Sequence, residues 1–309
     1  MTSTPAPAPH SLTRTVALLN QKGGVGKTTT TVNLAAALAD TGRRALVVDM
    51  DPQAHATIHL GVEPDANQAS SYDVLLDPER AAEAVIHARP NLAVIPAEVD
   101  LAAAETELAG QAGRNDRLRR GLVRLHESFE FIFIDCPPSL GLLTLNALAA
   151  AREVVVPMQA HFLALQGVGK LLETVRIISQ NVNPEIRVSG VVLCAHDEQT
   201  RHAREVVADL EEFFESARDQ AVPWRGARVY QPPIRRHIKL AECPSFGQTI
   251  FEYAPGLAGA QDYEALARHF LAEWDLMLER RRARAGAGTE ANPVVVTDAA
   301  RERHGAANS

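Results

Sequence analysis

Apolar residues recur in short, nearly unbroken runs at 15–20 (TVALLN), 44–49 (RALVVD), 92–96, 129–135 (FEFIFID), 153–157 (EVVVP) and 187–193 (RVSGVVL). Runs of this length, apolar at almost every position, fit parallel strands covered on both faces. Stretches with helical spacing separate them: 28–40, closed by Gly42 as a C-terminal cap, an apolar stretch from Leu142, then 163–179 and a charged stretch at 200–217. A final helix is expected at 257–284, with Leu266, Phe270, Leu271, Trp274, Met277 and Leu278 on one face. Residues 54–91 carry mixed helix and loop signals, 97–126 are helix-rich, and Pro223, Pro232 and Pro233 restrict 222–234 to loop or edge strand. This alternation predicts an α/β fold, a doubly wound, mainly parallel sheet with helices on both faces. One domain is expected at 13–284, between disordered tails at 1–12 and 285–309 whose composition buries little.

Composition narrows the setting. No run approaches the roughly 18–20 apolar residues of a membrane span, and the N-terminal TSTPAPAPHS has neither the basic start nor the apolar core of a secretion signal, so a cytoplasmic protein is expected. Cys136, Cys194 and Cys243 lack metal-binding spacing and read as reduced, buried thiols. A formal net charge of −7 argues against bulk attraction to nucleic acid. Residues 225–239 nevertheless carry Arg225, Arg228, Arg235, Arg236 and Lys239 with no acid among them, a local positive patch.

The chemistry gathers at the ends of predicted strands. KGGVGKTT, at 22–29, joins the first strand to the first helix. Gly23, Gly24 and Gly26 let the backbone turn its N–H groups inward around Val25, and the following helix points its positive end at the same place, so the loop is a phosphate cradle. Lys27 supplies charge for terminal phosphates, and Thr28, followed by Thr29, places a hydroxyl for magnesium. The standard phosphate-loop pattern needs glycine where this chain has Gln21, and an additional lysine, Lys22, stands at the loop entrance. Asp49, Asp51, Pro52 and Gln53 follow the second strand, and Asp135 ends the strand at 129–135 ahead of CPPSLG. Ligands of open α/β sheets sit at such carboxyl ends.

KGGVGKTT, VVDMDPQ, FIFIDCPPSLG, VVVPMQ and the late IKLAECPSFGQTI, in that order, resemble the ParA/Soj family of deviant Walker A ATPases, relatives of MinD, over residues 14–280. The resemblance implies an ATPase with a weak intrinsic rate, using ATP and Mg²⁺ in chromosome or plasmid partition. It implies that Thr28 and Asp135 hold the metal, that Lys27 neutralises phosphate charge, that Asp51 orients the attacking water with support from Asp49, and that Pro232 walls the adenine pocket. It also implies that Lys22 reaches the phosphates of a partner subunit in an ATP-bound homodimer, and that this dimer binds double-stranded DNA nonspecifically while a ParB/Spo0J-like protein stimulates hydrolysis on the nucleoid. Arg236 and Lys239 match the family's DNA-contacting segment, Arg201 and Arg204 lie close to a further family arginine position occupied here by Gln199, and AHAT at 54–57 departs from the family's usual Gly-Asn before Ala-Thr. The short stretch before the first strand leaves no room for a helix-turn-helix domain, as expected of the chromosomal type.

Three other readings compete. A MinD-like protein would lay the last helix on a membrane, though a tail of about 25 residues follows that helix and no stable insertion is expected. A related ATPase would position another cargo. An iron–sulfur reductase would need paired cysteines that this chain lacks. His55 and His59, four apart, have no third metal ligand in view.

Overall fold

The computed structural model describes residues 13–289 except 66, 161 and 198–200, and for 162–166, 201–202 and 284–289 the backbone alone. In chain order the elements are β1 (Arg14–Leu18), α1 (Lys27–Asp40), β2 (Ala45–Asp49), α2 (His55–His59), α3 (Ser71–Leu76), β3 (Ile86–Arg89), β4 (Leu92–Ile95), α4 (Leu101–Glu107), α5 (Arg117–Val123), β5 (Phe131–Asp135), α6 (Leu142–Ala150), β6 (Glu153–Met158), α7 (Phe162–Asn181), β7 (Arg187–Leu193), α8 (Arg201–Ser216), β8 (Arg228–Val229), α9 (Lys239–Glu242), α10 (Ile250–Tyr253) and α11 (Ala258–Thr289). One compact unit runs to Leu271 and a second begins at Ala272. The expected tail at 1–12 lies outside the described residues. The expected C-terminal tail is helical at 285–289, as the end of α11, and is not described beyond.

The first unit is built on an eight-stranded sheet in the order β3-β4-β2-β5-β1-β6-β7-β8. Every pairing is parallel except that of β3 with β4. The chain works outward from β1 to one side through β2 and returns through β5 before crossing to β6 on the other. The carboxyl end of β1 is therefore a topological switch point, where open α/β sheets hold ligands.

Strand β5 shows why the apolar runs are strands. All five residues of FIFID are buried. Ile132 and Ile134 join a core cluster with residues from α3 to α8, whereas the Phe133 ring meets that of Phe270 from α11 at 6.2 Å. Successive side chains thus bury on opposite faces, and a run apolar at both parities is required. The 222–234 stretch yields a two-residue edge strand, β8. Strand β3 answers to no apolar run. Leu266 and Phe270 of the expected stripe are buried in the first unit; Trp274, Met277 and Leu278 belong to the second.

At the end of the sheet opposite the switch point lies a buried ion cluster. Arg14, 3% exposed, donates from Nη2 and Nε to Glu153 at 2.8 and 3.1 Å, and from Nη1 to the carbonyl of Phe270 at 2.8 Å. Arg187 and the Ser189 hydroxyl also donate to Glu153. Burial alone would raise the Glu153 carboxyl; Arg14, Arg187 and Ser189 outweigh it and hold it at about 2. A folded-state value below the unfolded one contributes stability above the unfolded value that is lost on acidification. Glu153→Gln strands Arg14 in the interior and is expected to cost about 3–5 kcal/mol in urea titration at pH 7. The gap to the parent should close as pH falls from about 4.5 toward about 2.

Candidate functional site

The loop between β1 and α1 turns as its glycines require. Gly24 and Gly26 adopt left-handed φ of +72° and +96°, and Gly26 caps α1, with its carbonyl accepting from Thr30 N at 2.9 Å. A Cβ at Gly26 would lie 3.1 Å from Cys194 Sγ, while Gly23 and Gly24 face open space. Val25 is buried beneath the loop. Asn20 anchors the entrance, accepting from Lys22 N at 3.0 Å and donating to Pro157 O at 2.8 Å, and Gln159 donates to Gly24 O at 3.1 Å.

The two lysines differ in setting. Lys27 is 7% exposed and its ammonium donates across the loop to Lys22 O at 3.3 Å. Lys22 is exposed, and among the described residues its ammonium has no acceptor in its own chain.

Beside the loop, parallel register sets Asp49 and Asp135 level at the ends of neighbouring strands β2 and β5. Both are fully buried. Thr28 Oγ1 donates to Asp135 Oδ2 at 2.6 Å, and Thr31 Oγ1 lies 3.1 Å from Oδ1. Asp49 accepts from Thr57 N at 2.9 Å and Oγ1 at 2.8 Å, and from Asp51 N at 3.1 Å. Burial pushes both carboxyls up; at Asp135 the Asp49 carboxylate adds to the push, against the Thr28 and Thr31 hydroxyls and Lys27. The Thr28 hydroxyl and Asp135 carboxylate make an all-oxygen donor pair in a site of excess negative charge, which suits a small hard dication. Asp51 is half-buried in the loop before α2, its Oδ1 accepting from Gln53 N at 3.0 Å.

With this geometry, a family model described as AAA domain matches residues 13–188. The chromosome partitioning protein ParA of Myxococcus xanthus is 40% identical over 271 residues, 87% of this chain and 92% of that protein. The sporulation initiation inhibitor protein Soj of Bacillus subtilis is 42% identical over 259 residues, 83% of this chain and 98% of that protein. A crystal structure of cobyrinic acid a,c-diamide synthase from Mycobacterium smegmatis, with bound ATP analog and magnesium, superposes with a TM-score of 0.70 at 38% identity, covering 85% of this chain and 96% of that one. The chain belongs to the ParA/Soj family of P-loop ATPases.

It is thus a partitioning-type ATPase of the ParA/MinD superfamily, and its loop at 22–29 is the family's deviant Walker A loop. Sequence reasoning passed over Thr31 and Thr57, the hydroxyls on the buried carboxylates. Their spacing held the signal: Thr31 stands one turn beyond Lys27 and Thr28, and Thr57 ends the AHAT run. Reasoning also passed over Glu105, whose Oε1 accepts from Leu143 N at 3.3 Å and so caps α6 just beyond CPPSLG. His55 is exposed and His59 buried, and among the described residues no group of three or more His, Cys, Asp or Glu is placed to hold a metal.

The basic residues are less uniform than their linear run suggests. Arg235 is bound by the buried Asp262 at 2.7 Å, and the Lys239 ammonium lies 3.0 Å from Glu242 and 5.1 Å from the Tyr253 ring. Arg236 and Arg204 are exposed, and the side chain of Arg201 lies outside the described residues. Arg204 lines a cavity of about 220 Å³ with His196, Gln231 and Pro233, and Arg236 N donates to His196 O at 3.3 Å, so α8 and the 231–236 stretch border one another. Pro232 is half-buried, and its neighbours Gln231 and Pro233 line that cavity. Among the described residues no helix is long and apolar enough to cross a membrane.

At Gly26, an alanine would meet both a left-handed backbone and Cys194. Gly26→Ala is expected to cost about 1–2 kcal/mol from backbone strain alone and to lower ATP hydrolysis at least tenfold. Adding Cys194→Ala should recover only part of the lost thermal stability, because it removes the contact with Sγ and leaves both the 3.1 Å contact with the Cβ of residue 194 and the backbone strain.

Proposed function

We propose that the chain is an ATP-driven DNA-partitioning switch, in which ATP closes a homodimer, the dimer binds double-stranded DNA without sequence preference, and hydrolysis releases it. The observation that carries this reading is the contrast between the two loop lysines. The Lys27 ammonium turns inward over the loop, whereas that of Lys22 belongs to an exposed side chain and has no acceptor among the described residues. An exposed cation at the mouth of a phosphate loop is suited to reach the phosphates held by a second copy, as a finger residue supplied in trans does. The 40% and 42% identities to ParA and Soj support the same assignment.

In each subunit ATP lies with its phosphates against the loop at 22–29 and its base toward the Pro232 stretch. Thr28 and Asp135 would hold magnesium, and the bound ion would supply positive charge to offset that of the terminal phosphates. Lys27 adds a fixed positive charge from within the subunit. The Asp51 carboxylate, held at the end of β2 by the Asp49 network, orients the attacking water; phosphoryl transfer needs mainly positioning and charge stabilisation. Arg204, Arg236, Arg201 and, less freely because of Glu242, Lys239 supply contacts to DNA phosphates, which carry no sequence information and weaken with salt. The M. smegmatis structure, with its bound ATP analog and magnesium, supports the nucleotide and metal assignment. A ParB/Spo0J-like protein is the stimulating partner, and the ATP form resides on the nucleoid in the cytoplasm.

Anisotropy titration of the full chain with an arbitrary duplex is expected to show binding with ATP and none with ADP. Affinity should fall at least tenfold between about 50 and 200 mM salt, as for a protein making several phosphate contacts. Lys22→Ala should still bind ATP and lose DNA binding, and Arg236→Ala should reduce the salt slope by about one. An ATP form that ignores DNA and sediments with anionic vesicles would overturn the proposal. Separately, Asp51→Ala is expected to remain on DNA with ATP unhydrolysed, and brisk turnover by that variant would remove Asp51 from its role.

A further inference from the structure

Arg89 ends the edge strand β3, and its guanidinium joins two segments remote from each other in sequence. Nη1 donates to Leu60 O, Nη2 to Gly247 O and Nε to Glu252 Oε1, each at 2.8 Å. Leu60 closes α2, the short helix whose other end follows Asp51. Gly247 and Glu252 belong to the segment that opens with Lys239. The second oxygen of Glu252 accepts from Thr249 N at 2.8 Å and Oγ1 at 3.0 Å, so the ion pair is built into the cap of α10. The Arg89 side chain is 19% exposed.

Two more contacts close the same joint. Gly61 and Gly247, both left-handed at φ +64° and +61°, meet backbone to backbone, and a Cβ on Gly247 would lie 2.7 Å from Gly61 Cα. Two residues before Gly61 and four before Gly247, buried His59 Nε2 lies 3.5 Å from buried Cys243 Sγ. Helix α2 spans five residues and is pinned at its central residue by the two bonds from Thr57 to Asp49. A displacement begun at Asp51 has little slack to disappear into before it reaches the joint. Packed contacts of this kind jump between arrangements rather than stretch.

We infer that Arg89 is a positioning residue that couples the Asp51 arm to the segment at 239–253, so that a nucleotide-dependent shift of one is carried to the other. This deepens the proposed function and rests on its assignment of Asp51 to the phosphate end of ATP and of Arg236 and Lys239 to DNA. The planar five-donor fork of arginine can bond three acceptors on two segments at once. A lysine ammonium can keep the Glu252 pair but cannot span both carbonyls with it.

The test is amide hydrogen exchange on the full chain with Mg-ADP and with a magnesium-bound, non-hydrolysable ATP analogue, alongside DNA titration. In the parent, replacing ADP by the analogue should change exchange at least fivefold in both the 51–60 and 240–250 peptides. Arg89→Lys should keep nucleotide affinity within twofold and its melting temperature within a few degrees. It should also keep the response at 51–60, lose that at 240–250, and bind DNA at least tenfold more weakly with ATP. Gly247→Ala, which forces the joint apart while leaving Arg89 intact, should reproduce the lost response at 240–250. The inference is overturned if the parent's 240–250 peptides ignore the nucleotide, or if either variant keeps their response. It also fails if nucleotide affinity, stability and response all fall together, since that marks a merely structural residue. Coupled exchange in a parent that binds no DNA would sink the DNA reading and leave the coupling standing.

Discussion

Two carboxylates side by side in the interior are the constraint on which the rest of this structure depends. Parallel register places Asp49 and Asp135 level on adjacent strands, with no solvent at either. Buried carboxylates without hydrogen-bond donors are costly, so the surrounding elements must supply them. Helix α1 does so with Thr28 and Thr31, which explains why an otherwise alanine- and leucine-rich helix begins with a run of threonines. Helix α2 does so with Thr57 from the opposite side. The hydroxyls leave the pair short of positive charge, and Lys27 makes up part of it. A site that folds under such electrostatic tension is matched to a dication carried in with a polyphosphate.

The sheet is polar at both ends for different purposes. At the switch point, hydroxyls and a single lysine leave the acids incompletely neutralised. At the opposite end, two arginines and a serine surround the buried Glu153 and hold it ionised far below the neutral range. The first arrangement favours a ligand and the second favours only the fold. Burial is nearly the same at Asp135 and Glu153, so the number of cationic partners, rather than depth, separates a functional acid from a structural one.

Legibility followed the range of the interactions. The central strands were visible because burial on both faces leaves an unbroken apolar run, and the phosphate loop because its glycines, lysine and threonines are adjacent. Strand β3 was invisible because IHAR is an edge strand, half-buried, with no such run. Its clue was the turn that follows, Pro90–Asn91, where Asn91 takes a left-handed φ of +59°. The short helices at 239–253 span about one turn each, too little for a period to register. The basic run at 225–239 misled by being read linearly. Arg235 finds its acid, Asp262, 27 residues further on, and so contributes little free charge to the patch.

The late segment earns its place through α1. Asn33 sits in the interior of that helix, where alanine would be easier to bury, and both ends of its amide are used: Nδ2 donates to Thr29 O at 2.8 Å and Oδ1 accepts from Ile250 N at 2.8 Å. One turn earlier in the helix, the Thr30 hydroxyl lies 3.2 Å from that of Tyr263, fully buried in α11. An amide or hydroxyl withdrawn from water is tolerable only while its partner stays in place. Thr29 and Thr30 belong to the first turn of the phosphate-loop helix, whereas Ile250 and Tyr263 lie far beyond residue 188, where the matched family model stops. The loop and the late segment therefore cannot repack independently, and the chain after β7 is part of the machinery of the nucleotide site rather than an appendage to it.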